Sequence, residues 1–299
     1  MRILPIAVAL SVASIVAAYE PRPRQAADTA FIDSHVHLNE PDSALHLLEQ
    51  SGVTAAIAFV GARGTNETVL AAAARSGRRL IPFASISPER REYRGRWLRN
   101  DTSLVDELDS VLARGAFRGI GEISVVHFPG EGFPEADFDP SGPMMRGIMR
   151  VAERRRLPVL IHCEVTRLRE LSALLESFPT VRVIWAHGGY TPLVLASRML
   201  ERHPNLMYEL SARTWTRHPR SPDYTIFRND SLVWPEWLSL IEQHSNRFVI
   251  GTDASYRSME NERRKVERVR LFLGQLSDST RRRVAITNAV GLVGSGQTP

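Results

Sequence analysis

Eight short apolar runs rich in β-branched residues, each followed by a longer segment of helical period, constrain this chain more than any other feature. They are Phe31 to His37, Val53 to Val60, Leu80 to Ile86, Phe117 to Ile123, Leu157 to Cys163, Val181 to His187, Leu206 to Ser211 and Phe248 to Asp253. Strands that alternate with helices build parallel sheets, because a parallel pair needs a crossover long enough to hold a helix. Eight such units predict an α/β fold, a (β/α)8 TIM barrel forming a single domain, rather than an open sheet. The spacers agree: Ser43 to Gln50 has helical period and stops at Gly52, and the alanine-rich Thr65 to Ser76 stops at Gly77. The longest irregular pieces are 88–101, 126–143 and 212–235, lengths at which ordered loops serve as lids or binding loops.

Composition narrows the chemistry. At 43% hydrophobic and 24% charged, the 299 residues make an ordinary globular body, which excludes disordered, collagen-like and coiled-coil chains. The net charge is +5, yet Lys265 is the only lysine among 38 basic residues, so no catalytic lysine lies elsewhere. A single cysteine, Cys163, rules out an internal disulfide framework. The first residues read as a signal peptide, 1–18: a basic start at Arg2, an apolar stretch from Ile3 to Val16, and the small-residue ending Val16-Ala17-Ala18. Residues 19–28 then form a polar, proline-containing linker, 29–294 the barrel and 295–299 a tail. The apolar stretch falls short of the ~20 residues a membrane span needs, so the mature chain is expected to be exported without a stable span.

In such a barrel the active site lies at the C-terminal ends of the strands. Here those ends carry His35-Val36-His37, Gly121-Glu122, Ile161-His162, Ala186-His187 and Thr252-Asp253. The two-residue period of a strand puts His35 and His37 on one side, where they can hold one cation together. Imidazoles mixed with carboxylates suit Zn²⁺, Mn²⁺ or Fe²⁺ better than Mg²⁺ or Ca²⁺, and zinc is the first expectation. His46, His203, His218 and His244 fall in expected helices or loops. Cys163 would point away from His162 along its strand and reads as packing. His127, five residues past Glu122 in a long loop, is a candidate substrate contact, with a surface role as its alternative.

On these residues the chain resembles the amidohydrolase superfamily of metal-dependent barrel hydrolases. Asp33-Ser34-His35-Val36-His37, Glu122, His162, His187 and Thr252-Asp253 match its ligand pattern in order, and the likeness covers about residues 29 to 294. The ending Ile286 to Leu292 looks like the closing helix of the amidohydrolase-related branch, and Gly119 to Ile123 like a strand of TatD-type enzymes. Many relatives bridge two metals with a carboxylated lysine; Lys265 lies beyond the eighth strand, so the resemblance gives Glu122 the bridging place and leaves one or two ions open. It also implies that Asp253 shuttles a proton between water and leaving group while touching the metal. The implied activity is hydrolysis of a small ester, lactone, amide or phosphoester, with decarboxylation, known in the same branch, as the alternative and a non-catalytic metal-binding protein as a third class.

Arg213, two residues past the seventh run, is placed to fork a carboxylate or phosphate on a small, anionic substrate. Nucleic acid is not the expected partner, because clusters such as Arg154-Arg155-Arg156 and Arg281-Arg282-Arg283 lie on expected helices interleaved with acids. Export is checked by intact mass: protein recovered from periplasm or medium should begin near Tyr19, and a mature chain that still starts at Met1 would overturn the signal-peptide reading.

Overall fold

The computed structural model describes residues 29–114, 116–129, 135–215, 225–255 and 258–294. The expected signal peptide, linker and tail, and His218, lie outside the described residues. The strands are β1 (Phe31–Leu38), β2 (Val53–Val60), β3 (Leu80–Ala84), β4 (Gly119–His127), β5 (Ala136–Asp137), β6 (Val159–Cys163), β7 (Val183–Trp185), β8 (Leu206–Glu209) and β9 (Phe248–Val249). All but β5 run parallel in the order β1-β2-β3-β4-β6-β7-β8-β9, and β5 pairs antiparallel with β4. The last strand returns to the first: Ser34 N–H donates to Ile250 O at 2.9 Å, and His37 N–H to Ala254 O at 2.8 Å. The result is a (β/α)8 barrel, one domain, as the alternation of runs predicts.

The helices are α1 (Pro41–Ser51), α2 (Asn66–Arg75), α3 (Arg91–Leu98), α4 (Ser103–Ala113), α5 (Pro143–Arg155), α6 (Leu168–Ser177), α7 (Leu193–Arg202), α8 (Pro235–Gln243), α9 (Met259–Leu273), α10 (Asp278–Arg282) and α11 (Asn288–Val293). Their ends follow local chemistry. α1 stops at Gly52, which adopts φ 63°, and α2 starts where the Thr65 hydroxyl accepts the Thr68 N–H while the Thr68 side chain returns the contact. No helix among the described residues is long and apolar enough to cross a membrane.

The two-residue period of the strands separates the core into two layers. In β2, Ala55, Ile57 and Phe59 point into the barrel, whereas Ala56, Ala58 and Val60 pack against the helices. Ile32, Phe83, Leu160, Ile184 and Met207 complete the barrel interior. Ala289, Leu292 and Val293 of α11 join that interior cluster, so the C-terminal helix caps one end of the barrel. Asn288 fixes the helix there by donating to Ser245 O and Phe248 O at 2.8 and 2.7 Å.

Two expectations about loops change. Residues 88–101 contain α3, held because Trp97 is buried and its Nε1–H donates to Ile86 O at 2.8 Å. Strand β4 runs on to His127, where Val126 and His127 face Asp137 and Ala136 of β5, so His127 ends a strand instead of sitting in a long loop.

The turn after β7 is the tightest point near the barrel mouth. His187, Gly188 and Gly189 all have positive φ, and a Cβ on Gly188 would lie 1.7 Å from Tyr208 Cζ. Gly188→Ala combines left-handed backbone strain with overpacking, so it should cost about 3 kcal/mol of unfolding free energy. Urea denaturation reads this as a lower midpoint at unchanged slope; a wild-type midpoint would show that Tyr208 can move aside.

Candidate metal centre

The strand ends bring His35, His37, Glu122, His162, His187 and Asp253 together. Glu122 stands at the centre, and its two oxygens face different pairs of imidazoles. Oε2 lies 3.4 Å from His35 Nε2 and 3.3 Å from His37 Nε2, while Oε1 lies 3.0 Å from His162 Nδ1 and 4.0 Å from His187 Nε2. Asp253 Oδ1 joins the first pair, 3.2 Å from His37 Nε2 and 3.7 Å from His35 Nε2. All except His37 are buried. Phe59 packs its ring edge-on to both His35 and His37.

A cation fits these donors. Two ligands at ~2.1 Å on a tetrahedral zinc stand ~3.4 Å apart, and the four contacts from His35 and His37 to Glu122 and Asp253 span 3.2 to 3.7 Å. Neither buried ring nitrogen of His35 makes a hydrogen bond of good geometry among the described residues. Buried imidazoles left without hydrogen bonds are costly unless another partner is intended.

Carboxylates orient the imidazoles from behind. Glu209, fully buried on β8, places Oε2 3.3 Å from His35 Nδ1 and accepts the His187 N–H at 3.0 Å. It also accepts from Ser211 N–H and Ser211 Oγ, both at 2.6 Å. Ser211 in turn meets His187 Nδ1, with its carbonyl at 3.1 Å and its hydroxyl at 2.9 Å. A carbonyl can only accept, so His187 carries its proton on Nδ1 and keeps the Nε2 lone pair toward Glu122. Asp33 ties β1 to the last strand by accepting from Thr252 N–H at 2.9 Å and Thr252 Oγ1 at 2.5 Å.

Burial opposes charge throughout this cluster, and neighbours decide the outcome. Against burial, Glu122 and Glu209 raise the pKa of His35 well above the ordinary imidazole value. Also against burial, Asp253 and Glu122 raise the pKa of His37, and Glu122 and Glu164 raise that of His162 to about 10. Burial alone would raise the Glu122 carboxyl, yet His35, His162 and His37 hold it well below the usual range. His187 is pushed well below its ordinary value by burial, with His162 and His35 adding to it. The field around His35, His37 and His162 therefore favours positive charge. Burial pushes the Cys163 thiol up, consistent with a packing residue.

Above the cluster lies a cavity of about 340 Å³, a volume suited to a small molecule. His37, Glu122, His162, His187 and Asp253 line it with His127, Ser85, Ser124, Glu89, Arg90 and Arg91. Arg90 directs its guanidinium to Gly61 O and Gly64 O, both at 2.8 Å, and to Glu92; Arg91 is the exposed cation of the wall. Lys265 touches the centre only from outside, donating to Asp253 O at 2.8 Å and pairing with Glu262.

Arg213 departs from expectation. It is 2% exposed and absent from the cavity wall. Its Nη1 donates to Tyr208 Oη at 2.6 Å and His187 O at 3.3 Å, its Nη2 to Thr191 O at 2.9 Å, and Trp237 covers the guanidinium. The chain after β8 folds it beneath the turn that carries His187 rather than over the mouth. Sequence reasoning also passed over Glu164, Glu209 and Glu89. A signal existed for two of them: Glu209 is the one acid in the apolar run Leu206 to Ser211, and Glu164 follows His162 by one strand period. Arg213→Lys loses the planar fork and should cost about 2 kcal/mol or more through buried donors and acceptors left unpaired. A fall in Tm with unchanged KM is expected; raised KM at wild-type Tm would return Arg213 to the substrate.

A family model described as amidohydrolase, Amidohydro_2, matches residues 19–294. Among curated proteins none matches the sequence. Solved structures of the same fold include a protein from Pseudomonas putida ascribed 2-pyrone-4,6-dicarboxylic acid hydrolase activity, with 16% identity, TM-score 0.60, and coverage of 89% of this chain and 98% of the other. A zinc-bound amidohydrolase from Burkholderia multivorans has 16% identity and TM-score 0.52 over 89% and 99%. Dihydroxybenzoic acid decarboxylase from Polaromonas sp. JS666, bound to manganese and 2-nitroresorcinol, has 13% identity and TM-score 0.52 over 88% and 96%. With nearly the whole barrel matched by the family model, the chain belongs to the amidohydrolase family.

Proposed function

We propose that this protein is a metal-dependent hydrolase of small esters, lactones, amides or phosphoesters. The observation that carries this reading is the division of Glu122: one carboxylate oxygen faces His35 and His37, the other His162 and His187. That is how a carboxylate would serve two cations, one held with Asp253 on the first side and one on the second. The donor set suits zinc first, with manganese or iron as alternatives. A bound divalent cation supplies Lewis acidity, polarising a carbonyl or phosphoryl oxygen and acidifying water. The protein's own residues do the rest. Asp253, on the cavity wall, accepts a proton from the attacking water at its carboxylate and returns it to the leaving group. Ser211 holds His187 in a fixed tautomer, and Glu209 places a carboxylate oxygen 3.3 Å from His35 Nδ1. Arg91 is the exposed cation on a wall that also carries Glu89 and Glu92, and would be the residue to meet an anionic group.

Decarboxylation is the second reading, favoured by the likeness in fold to the Polaromonas decarboxylase. The divided carboxylate favours hydrolysis, since removing carbon dioxide calls for no second cation to generate a nucleophile. Purified protein loaded in turn with Zn²⁺ and Mn²⁺ and assayed on lactones, phosphodiesters and aromatic carboxylates separates the two. Asp253→Asn keeps an oxygen donor but cannot take a proton, so it should retain most of its metal and lose about 10²-fold or more in kcat. His35→Ala and Glu122→Gln should lose metal by elemental analysis. Full metal and activity in both, or near-wild-type kcat in metal-replete Asp253→Asn, would overturn the proposed site or the proton shuttle respectively.

A further inference from the structure

A second convergence of ligand atoms lies on the cavity wall beside the Glu122 cluster. His127 ends β4, His162 lies on β6 and Glu164 follows two residues later, and one ligand atom from each falls within 4.8 Å of the others. We propose that His127, His162 and Glu164 form a further site for a divalent transition-metal ion, distinct from the positions around Glu122.

Two imidazoles and one carboxylate form an established ligand set for zinc sites with an open coordination position. The cavity supplies that opening, because His127 and His162 both line it. Glu164 is preset for the role. Its Oε2 accepts Phe128 N–H at 3.0 Å, which turns Oε1 toward His162 Nε2 at 3.3 Å. That separation again matches the ~3.4 Å expected between two donors on one tetrahedral zinc. Both side chains are buried, so their positions are held by packing.

His162 belongs to both clusters, with Nδ1 on Glu122 and Nε2 on Glu164. A neutral imidazole has one lone pair, so the ring serves one cation at a time. When Nδ1 is the ligand, Nε2–H donates to Glu164; when Nε2 is the ligand, Nδ1–H donates to Glu122. An ion at the side site therefore competes with the second ion of the Glu122 cluster, and excess metal should inhibit the enzyme by this route. His127 takes no part in the catalytic reading, so a change there touches the side site without touching the Glu122 cluster.

The test titrates chelator-stripped protein with Zn²⁺ by equilibrium dialysis and with Co²⁺ by visible absorption. In His127→Ala and Glu164→Gln, the weakest Zn²⁺ equivalent should disappear or weaken tenfold or more, and the corresponding Co²⁺ bands should go with it. In His127→Ala the tighter equivalents should bind at least as well as in wild type, since the competitor for His162 is gone and the Glu164 contact to His162 remains. In His35→Ala the tight equivalents should fall while the weak one persists. Glu164 is buried, so His127→Ala, at a half-buried position, keeps the test valid if Glu164→Gln misfolds. Wild-type isotherms and spectra in His127→Ala would overturn the side site. Wild-type isotherms in His35→Ala would instead overturn the Glu122 cluster and leave the side site standing.

Discussion

The structure turns on one buried carboxylate. Glu122 is 4% exposed and surrounded by four imidazoles, an arrangement whose desolvation cost is large unless opposite charge or a cation stands beside it. Everything near it is built to supply that charge at fixed distance. Phe59 packs edge-on against the two imidazoles of β1, Glu209 stands beside His35, Ser211 holds His187, and Asp33 ties β1 to Thr252. An imidazole facing a carboxylate through one nitrogen presents the other with a defined lone pair, the usual way a protein orients a metal ligand. Candidate ligands stand nearest Glu122 and the groups that contact them stand outside, so each layer constrains the one inside it.

Much of this was legible in the sequence. Period and length give eight βα units, and the barrel geometry then sends the ends of those units to one mouth, so the six polar strand-end residues had to converge once the fold was known. What the sequence hid depends on turns and on side-chain direction. Arg213 is adjacent in sequence to a strand end, but the backbone at Ala212 has φ 55° and the guanidinium swings beneath the His187 turn to three oxygen acceptors. His127 looked like a loop residue because β5, only two residues long, carries too little periodicity to announce a pairing. Glu164 and Glu209 were masked for a different reason: Glu209 ends β8 inside an apolar run and Glu164 follows β6 directly, so neither forms a ligand-like pair with a second histidine in the sequence.

Two candidate ligands, His187 and Asp253, sit on left-handed backbone, with φ of 55° and 51°. Such conformations are costly for residues other than glycine and persist only where surrounding structure over-determines them. For His187 the determinants are the Glu209 contact to its N–H, the Arg213 contact to its carbonyl, and the adjacent Gly188 and Gly189 that allow close approach to Tyr208 and Trp185. The buried arginine thus reaches the centre indirectly, by donating to the turn that carries His187.

For Asp253 the determinants coincide with closure of the barrel. Its carbonyl accepts from Lys265, and the next residue, Ala254, exchanges hydrogen bonds with β1 through His35 O and His37 N–H. Gly251, two residues earlier, leaves no room for a side chain: a Cβ there would meet Glu209 Oε1 at 2.6 Å and His35 Cβ at 2.8 Å. In the register this close approach permits, Asp253 Oδ1 lies 3.2 Å from His37 Nε2. The bonds that close the sheet are the same ones that set the distance between the first imidazole pair and the aspartate. Assembly of the centre and completion of the fold are in that sense one event, and the lone lysine of the chain serves both from outside the ligand cluster.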